Sequence, residues 1–258
     1  MIQIQNLHFK YTGSRQKTLT DINFFVERGE FFGIIGPNGA GKTTLFRLIL
    51  GFLKPLEGKV IIDHEDIRNL KRKEISRKLS AVMQDFSPTY DFTVEEIVHM
   101  GRTPYLGLFS NESERDYNIV REAISETELE GFESKQFNHL SGGERQRVLI
   151  AKCFAQNTPI ILLDEFVAHL DIGHVQQLIQ RVFIKNKKEK ITVVAIFHDI
   201  NTAALYCDRI AVLSKGQIYQ IGTPEEIINQ QLMRDVYKAD SYIVPHRVDS
   251  KPQVILNK

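Results

Sequence analysis

Apolar and polar residues alternate over Ile2–Phe9 and, more loosely, over Leu19–Val26, which is the period of a half-exposed strand. A continuous apolar run, Phe31–Ile35, follows and leads through a glycine-rich turn into the helical pattern of residues 45–50. The pattern predicts two short antiparallel strands and then a buried strand that opens a strand–turn–helix unit.

The middle of the chain changes to a helical period. Thr93 and Glu96 have the spacing of a capping box at the start of a helix, and Pro104 interrupts that helix. Residues 112–125 have the pattern of another amphipathic helix, and no strand pattern is found nearby. We therefore predict a helical lobe over residues 88–156.

Strand patterns lie on both sides of this lobe. The predicted strands are residues 59–63, 79–83, 159–164, 191–197, 210–213 and 217–221, and helices are predicted over residues 172–185 and from Thr223 onward. The runs at 159–164 and 191–197 are continuously apolar, which is typical of buried parallel strands. The prediction is an α/β fold of one domain, 1–258. In it residues 1–87 and 157–258 form a mainly parallel core sheet with a small antiparallel lobe, and the helical lobe is inserted.

Composition limits the functional classes. Of 258 residues, 25% are charged and the formal net charge is +1, so no global positive field recruits nucleic acid. No apolar run approaches the length of a membrane span, and the chain begins with a strand pattern rather than a signal peptide. Cys153 and Cys207 lie in apolar stretches and are expected to be buried free thiols. The basic run over residues 71–78 is interpreted as a solvated helix face.

The turn after the third strand has the pattern G-x-x-x-x-G-K-[ST] of a phosphate-binding loop. Its residues are Gly36, Pro37, Asn38, Gly39, Ala40, Gly41, Lys42, Thr43 and Thr44. The glycines let backbone N–H groups converge on an anion at the positive end of the next helix. Lys42, interpreted as a solvent-facing charge, can reach the β- and γ-phosphates, and the Thr43 hydroxyl can bind Mg²⁺. The motif predicts a nucleotide-binding site.

Polar residues near strand ends are the candidates for completing this site. Asp164 and Glu165 follow an apolar strand, so Asp164 could hold Mg²⁺ and Glu165 could orient or deprotonate the attacking water. Two solvated acids are an equally good interpretation of that spacing alone. Gln84 follows the strand over residues 79–83, at the end where ligands bind in open α/β sheets. Tyr11 could stack on adenine, although its position alone favours a surface aromatic that covers a strand end.

A pair of glycines opens a helix after Leu140. Ser141 and Glu144 have capping-box spacing, but a capping box does not explain Gly142 and Gly143, because glycine weakens a helix start. Adjacent glycines are expected where an anion approaches backbone N–H groups closely. Because one nucleotide needs only one phosphate loop, we predict that Ser141 and its glycines complete the site of a second copy of the chain.

Four motifs occur together in the order and spacing of the ATP-binding cassette (ABC) family. They are the phosphate loop, the segment that begins at Leu140, the acid pair after the apolar strand, and a histidine after the next strand. The chain resembles this family over nearly its whole length. The resemblance implies adenine stacking by Tyr11, sensing of Mg²⁺ and the γ-phosphate by Gln84, a loop containing Asp171 that crosses a dimer interface, and contact of His198 with the γ-phosphate. The family usually has Pro-Thr where this chain has Phe166 and Val167, which leaves both carboxylates in place.

The resemblance implies an ATPase in which two copies dock head to tail and sandwich two ATP molecules. The implied catalytic residues are Glu165, His198 and Gln84, and the implied Mg²⁺ ligands are Thr43, Gln84 and Asp164. Ser141, Gly142, Gly143 and Asp171 join Tyr11 and the phosphate loop in the implied ATP site. The implied setting is the cytoplasmic face of the cell membrane, reached through integral membrane permease subunits. A substrate-binding protein is then an indirect partner, and nucleic acid is not a partner.

The stretch over residues 101–109 looks like the G-R-x-P-x-L-G-x-F segment of importer ATPases for iron–siderophore complexes, haem and vitamin B12. A broken helix with its apolar residues packed inward is the structural alternative. The resemblance implies a metal-chelate importer whose permease docks a cytoplasmic helix near Tyr105 and Leu106. The functional alternatives are an importer of zinc or manganese ions and a soluble ABC ATPase that takes no part in transport.

Overall fold

The computed structural model of the chain describes residues 1–14, 16–83, 86, 88–107, 112–167 and 171–257. Gln84, Leu108, Phe109 and residues 168–170, all of which belong to the predicted motifs, lie outside the described residues. Its strands are β1 (Ile2–Phe9), β2 (Leu19–Val26), β3 (Phe31–Ile35), β4 (Glu57–Ile62), β5 (Glu65–Asp66), β6 (Leu79–Val82), β7 (Ile160–Asp164), β8 (Thr192–Ile196), β9 (Arg209–Ser214), β10 (Gln217–Gly222), β11 (Ser241–Pro245) and β12 (Pro252–Leu256). Its α-helices are α1 (Lys42–Ile49), α2 (Arg72–Lys78), α3 (Val94–His99), α4 (Glu114–Glu126), α5 (Gly142–Gln156), α6 (Ile172–Glu189), α7 (Ile200–Tyr206), α8 (Pro224–Ile227) and α9 (Gln230–Leu232). No helix within the described ranges has both the length and the apolar character needed to span a membrane.

The chain divides into two compact units. The first unit comprises Met1–Leu70 and Thr192–Lys258, and the second comprises Lys71–Ile191. In the first unit an antiparallel sheet has the strand order β2–β1–β4–β5, as predicted for the strands at the start of the chain. The assignment of residues 88–156 as a lobe inserted into one domain stays a prediction.

The buried strands of the first unit determine where its polar loops emerge. β3 pairs in parallel with both β8 and β9, and β10 forms an antiparallel hairpin with β9. Every residue of β3 and β8 is buried, which agrees with their continuous apolar sequences. Because parallel strands end at the same edge, the phosphate loop after β3 and His198 after β8 emerge on one side of this sheet.

The second unit pairs β6 in parallel with β7, and its helices α3 and α4 pack on α5. The capping box predicted at Thr93 is present, since the Thr93 hydroxyl accepts from the Glu96 N–H at 3.2 Å. The basic face of α2 is exposed, as predicted, but two of its cations have specific contacts. Lys73 and Arg77 donate to the backbone carbonyls of Leu106 and Pro104, at 2.6 and 2.9 Å.

The start of the stretch over residues 101–109 is a packing motif of this unit. A side chain at Gly101 would place its Cβ 2.4 Å from the Lys152 carbonyl oxygen, so only glycine lets this turn approach α5. Arg102 is 5% exposed, and it donates to the Asp116 carboxylate at 2.9 Å and to the Ala155 carbonyl at 2.7 Å. The glycine and the arginine of the importer-like segment therefore join the 3₁₀ turn Met100–Tyr105 to α4 and α5.

Asp116 serves two functions at the start of α4. Its carboxylate accepts from the Ser113 hydroxyl and N–H and also pairs with Arg102. Hydrogen bonds from Ser113, aided by Arg102, lower the pKa of Asp116 to about 2. The carboxylate is therefore ionised at neutral pH, and its charge balances the buried Arg102 guanidinium.

The two cysteines are buried free thiols, as predicted. Burial raises the pKa of the Cys153 thiol to about 11. Cys207 packs against Gly33 of β3, where a side chain in place of the glycine would bring its Cβ within 2.7 Å of the sulfur. The fold class is α/β, with mostly parallel core strands, a small antiparallel sheet and helices, as the sequence predicts.

Candidate nucleotide-binding site

The phosphate loop has a backbone that its glycines make possible. Gly36 has a φ of 149°, and a Cβ at this position would lie 2.0 Å from the Leu213 carbonyl oxygen. Gly41 has a φ of 103° and is the N-cap of α1. Both conformations are strained for residues with a side chain, so the glycines shape the turn that precedes α1.

The N-terminus of α1 is open to a ligand. Thr93, Ser141 and Asp199 each accept a backbone N–H at the start of α3, α5 and α7. At α1 the N-cap is Gly41, and no side chain of the described residues caps the helix. A helix start without a cap leaves N–H groups and the positive dipole end to bind an anion, which is the arrangement that a phosphate requires.

Lys42 is not the solvent-facing charge that the sequence suggested. It is 6% exposed, and its ammonium donates to the carbonyl oxygens of Gly36 at 2.8 Å and Pro37 at 3.3 Å. The two carbonyl groups at the entrance of the loop point toward the Nζ atom, so the loop folds back over its own lysine. The charge lies inside the concave side of the loop, where it can also contact a phosphate.

Tyr11 lies beside the phosphate loop. Its hydroxyl is 3.2 Å from the Thr44 Oγ1, and the edge of its ring packs on Phe9 at a centroid distance of 4.8 Å. Tyr11 is 37% exposed, so part of it is accessible to solvent or to a ligand. This placement agrees with adenine stacking, which remains a prediction.

His198 and the phosphate loop line one cavity of the first unit. The cavity has a volume of about 380 Å³, and its lining residues are Gly36, Pro37, Asn38, His198, Asp199, Ile200, Asn201, Met233, Tyr237, Val254 and Leu256. His198 is exposed, whereas the preceding Phe197 is 1% exposed. The buried β8 therefore holds the imidazole at the surface beside the loop.

The acid pair of the second unit follows β7. Asp164, the last residue of this strand, is fully buried, although every other residue of β7 is aliphatic. A buried carboxylate requires a positive or hydrogen-bonding partner. Glu165 is partly exposed, and its φ of 46° is in the left-handed region. This conformation is uncommon for a residue other than glycine, and Glu128, in a turn, also adopts it.

The departure from the family pattern after this pair has a structural reason. Phe166 stands where the family usually has proline, and its side chain is fully buried. The turn after Glu165 is thus held by core packing of an aromatic ring. A proline would have held the same turn by restricting φ. Both carboxylates keep their place before this anchor.

Ser141 forms the capping box that its spacing predicts. The Ser141 hydroxyl accepts from the Glu144 N–H at 3.3 Å, and the Glu144 carboxylate accepts from the Ser141 N–H at 2.7 Å. The hydrogen bonds with Ser141 lower the pKa of Glu144. Ser141 and Gly142 are exposed, so the start of α5 is accessible from outside the chain.

His174, which no sequence motif identified, contacts this segment. A Cβ on Gly143 would lie 3.3 Å from the His174 ring, so Gly143 also has a packing reason to be glycine. Asp171 caps α6 by accepting from the His174 N–H at 3.0 Å, and its carboxylate is 2.9 Å from the His174 Nδ1. The spacing of Asp171 and His174, three residues apart at a helix start, was the available signal.

The residues present fit both ATP and Mg²⁺. In the first unit the open end of α1 and the buried Lys42 suit phosphate, and Thr43 has a hydroxyl oxygen of the kind that Mg²⁺ prefers. In the second unit Asp164 has carboxylate oxygens of the same kind. Among the described residues there is no group of three or more His, Cys, Asp or Glu side chains that could hold a metal ion. A Mg²⁺ ion that is bound mostly through substrate phosphates needs only one or two carboxylate ligands from the protein.

The comparisons agree on the family. A family model described as ABC transporter matches residues 19–168 of the chain. The petrobactin import ATP-binding protein FpuC of Bacillus anthracis is 36% identical over 227 residues, which cover 88% of this chain and 84% of that protein. The hemin import ATP-binding protein HmuV of Thermobifida fusca is 34% identical over 248 residues, which cover 96% of this chain and 86% of that protein.

Other relatives are longer than this chain. The cobalamin import ATP-binding protein BtuD of Halobacterium salinarum is 35% identical over 238 residues, which cover 92% of this chain and 59% of that protein. The chain spans 54% of YvrA, an ABC transporter ATP-binding protein of Bacillus subtilis, with 35% identity.

Solved structures show the same fold. A chain of a proposed metal-chelate type ABC transporter, in an inward-facing conformation, has a TM-score of 0.86 at 24% identity, with 100% of this chain and 97% of that chain covered. A dimeric ATP-binding cassette with ADP and Pi bound, in a post-hydrolysis state, has a TM-score of 0.78 at 32% identity, with 86% and 98% covered. The chain belongs to the ABC transporter family and is an ATPase cassette of that family.

Proposed function

We propose that the chain is the ATP-hydrolysing subunit of an importer that moves a metal chelate through a partner permease. One observation carries the ATPase part, namely a phosphate loop that leads into a helix without a side-chain cap. The cargo is an iron–siderophore complex, haem or cobalamin. It is supported by relatives named as import proteins for petrobactin, hemin and cobalamin.

In this proposal each residue of the site has one function. Lys42 and the N–H groups of α1 bind the phosphates, and Tyr11 binds the adenine. Thr43 and Asp164, with Gln84, would hold Mg²⁺, which would supply positive charge to the phosphates. Glu165 orients or deprotonates the attacking water, and His198 contacts the γ-phosphate.

The site is completed by a second copy, docked head to tail, whose Ser141, Gly142 and Gly143 bind the γ-phosphate and whose Asp171 lies at the interface. If Ser141 were only a cap, Ser141→Ala would cost about 1 kcal/mol of helix stability and little activity. We expect ATPase activity to fall at least tenfold, because the hydroxyl also contacts the other copy's nucleotide. The measurement is steady-state phosphate release, alongside thermal unfolding.

Ser113 supplies a matched control. Its hydroxyl caps α4 by accepting from the Asp116 N–H at 3.3 Å, the distance of the Ser141 cap on α5. Ser113→Ala removes a cap bond of the same length together with the hydroxyl's 2.6 Å bond to the Asp116 carboxylate, so it costs at least as much stability as Ser141→Ala and should leave activity unchanged. Mixing Ser141→Ala with Lys42→Ala subunits should restore some activity, since each mixed dimer keeps one intact site. Full activity of Ser141→Ala alone would refute action across the dimer.

The docking site for the permease is a groove of the second unit. It has a volume of about 500 Å³ and is lined by Phe92, Glu95, Glu96, His99, Met100, Thr103, Leu106, Glu112 and Tyr117. Apolar side chains share it with three carboxylates, which complement a helix with an apolar face and a basic residue. The proposed occupant is therefore a cytoplasmic helix of the permease. Tyr105 lies outside this lining and contacts Arg102 instead, with the guanidinium 4.2 Å from the ring centroid.

Uptake measurements test the whole proposal. Deleting the gene should abolish uptake of one of three labelled substrates, an iron–siderophore complex, haem or cobalamin, and the wild-type gene should restore it. Unimpaired uptake of all three, with loss of zinc, manganese or an unrelated solute, would overturn the cargo and leave the ATPase assignment standing.

One variant in the same assay tests the groove. Leu106→Asp places a negative charge beside the groove carboxylates, so uptake should be lost while the isolated cassette keeps its ATPase activity. Ile184→Asp makes the same kind of change at an exposed apolar residue of α6 and should affect neither. Normal uptake with Leu106→Asp would show that the permease docks elsewhere.

A further inference from the structure

The C-terminal hairpin packs on the helix that follows His198. Its strands β11 and β12 pair antiparallel, with Ile243 opposite Val254. The hairpin base is closed by Asn257, which donates to the Asp240 carboxylate at 2.8 Å and, through its N–H, to the Asp240 carbonyl at 3.1 Å. β12 also contacts α7, so the hairpin is not a free ribbon.

β12 runs along α7 from the end of the helix back to its start. At the end of α7, the Lys251 ammonium donates to the Cys207 carbonyl at 3.4 Å and lies 3.7 Å from the Glu225 carboxylate. At the start of α7, Asn201 contacts Val254. The three steps from Lys251 to Val254 span about 10 Å as a strand, and the six steps from Asn201 to Cys207 span about 9 Å as a helix. The two segments therefore match in length.

Asn201 holds Val254 with both ends of its amide. Its Oδ1 accepts from the Val254 N–H at 2.7 Å, and its Nδ2 donates to the Val254 carbonyl at 3.1 Å. The side chain thus pairs with the outer edge of β12 as a neighbouring strand would. Two bonds to one backbone residue define the orientation of the amide, and through it the first turn of α7.

The same turn is tied to His198. Asp199, the residue after His198, caps α7 by accepting from the Asn201 and Thr202 N–H groups at 3.3 and 2.8 Å. Its carboxylate also accepts from the Thr202 hydroxyl. His198 is exposed and has β8 on one side and this cap on the other. Its position relative to the phosphate loop therefore depends on the placement of the first turn of α7.

We propose that Asn201 is a positioning residue for ATP hydrolysis, which clamps β12 and thereby holds His198 beside the phosphate loop. This inference rests on the function proposed for His198. The C-terminal hairpin is thus a structural support of the hydrolytic site, although its strands lie more than 40 residues beyond the histidine. We expect the clamp to affect the chemical step, because Val254 engages both the Oδ1 and the Nδ2 of the Asn201 amide, while His198 makes the proposed γ-phosphate contact.

The test separates binding from turnover. Asn201→Ala should lower kcat at least tenfold while the KM for ATP and the affinity for MgATP stay within twofold of wild type. Asn201→Asp keeps the acceptor for the Val254 N–H and loses the donor, so its kcat should be intermediate. Val254→Pro removes the N–H at an edge that β11 does not use, and should reproduce the loss. The double variant of Asn201→Ala and Val254→Pro should be no slower than either single variant, because both remove one interaction.

Asn23→Ala is the matched control. In the wild type the Asn23 Oδ1 accepts from the Asn6 N–H at 2.7 Å, the same length as the bond from the Val254 N–H to the Asn201 Oδ1. The substitution should leave kcat unchanged. Wild-type kcat for Asn201→Ala, or an equal loss of MgATP affinity and kcat, would overturn the inference. His198→Ala distinguishes the two levels. If His198→Ala has the wild-type kcat, the role proposed for His198 is wrong. If His198→Ala loses kcat while Asn201→Ala keeps the wild-type kcat, only the role of Asn201 is wrong.

Discussion

Glu165→Gln is expected to lower the ATPase turnover at least a hundredfold and to leave MgATP binding intact. The amide keeps the size of the side chain and its hydrogen bonds but cannot accept a proton, and a general base contributes about 10²–10⁴ to a rate. If two copies sandwich ATP as proposed and hydrolysis releases them, the variant should accumulate as an ATP-bound dimer. Light scattering coupled to size exclusion, with and without ATP, measures the dimer, and phosphate release measures the turnover.

The position of Glu165 makes this substitution informative. The residue is partly exposed, and its left-handed backbone is held by the buried Phe166, so a side chain of the same shape should not disturb the turn. Glu122→Gln, the same change at an exposed position of α4, is the control and should have no effect. A Glu165→Gln chain that stays monomeric with ATP, or that turns over at the wild-type rate, would contradict the composite site.

Lys42→Ala is expected to weaken MgATP binding by at least about a hundredfold, equivalent to roughly 2.7 kcal/mol. The lysine is the buried charge of the phosphate loop, and its removal takes the ammonium contact away from the phosphates. The carbonyls of Gly36 and Pro37 also lose their donor, so unfolding should become easier by about 1–3 kcal/mol. Calorimetric titration with MgATP and thermal unfolding measure the two effects separately.

Lys59→Ala provides the comparison for Lys42→Ala. It removes an exposed lysine of β4, in the same unit and outside the loop, and should change neither binding nor stability. Unchanged ATP affinity in Lys42→Ala would show that the phosphate site is elsewhere. Complete unfolding of Lys42→Ala would show instead that the tie to Gly36 and Pro37 is essential to the fold.

Local spacing explains most of what the sequence predicts correctly. The phosphate loop, the caps at Thr93 and Ser141, and the buried strands β7 and β8 each depend on residues a few positions apart. Such patterns carry their own physical reason, either a capping bond or a continuous apolar run. Tyr11 lies beside Thr44 in the first unit, but predicting that Tyr11 belongs to the nucleotide site required the family resemblance as well.

The features that the sequence does not predict depend on distant partners or on shape. Asn201 clamps a strand 53 residues away, and no local pattern identifies that partner. The hairpin itself exposes the facing pair Tyr242 and Ile255, so its strands lack a buried face that periodicity could reveal. Gly101 is explained by the backbone of α5, and the burial of Lys42 is explained by carbonyls of its own loop.

The buried thiols make the chain suitable for spectroscopic labelling. Cys153 and Cys207 are each 1% exposed, and a thiolate is the species that reacts with maleimides and methanethiosulfonates. A cysteine introduced at an exposed position, such as that of Glu122 on α4, would be modified ahead of both native thiols. One nitroxide or fluorophore per chain would then report the distance between two copies during an ATP cycle, without any cysteine first being removed from the core.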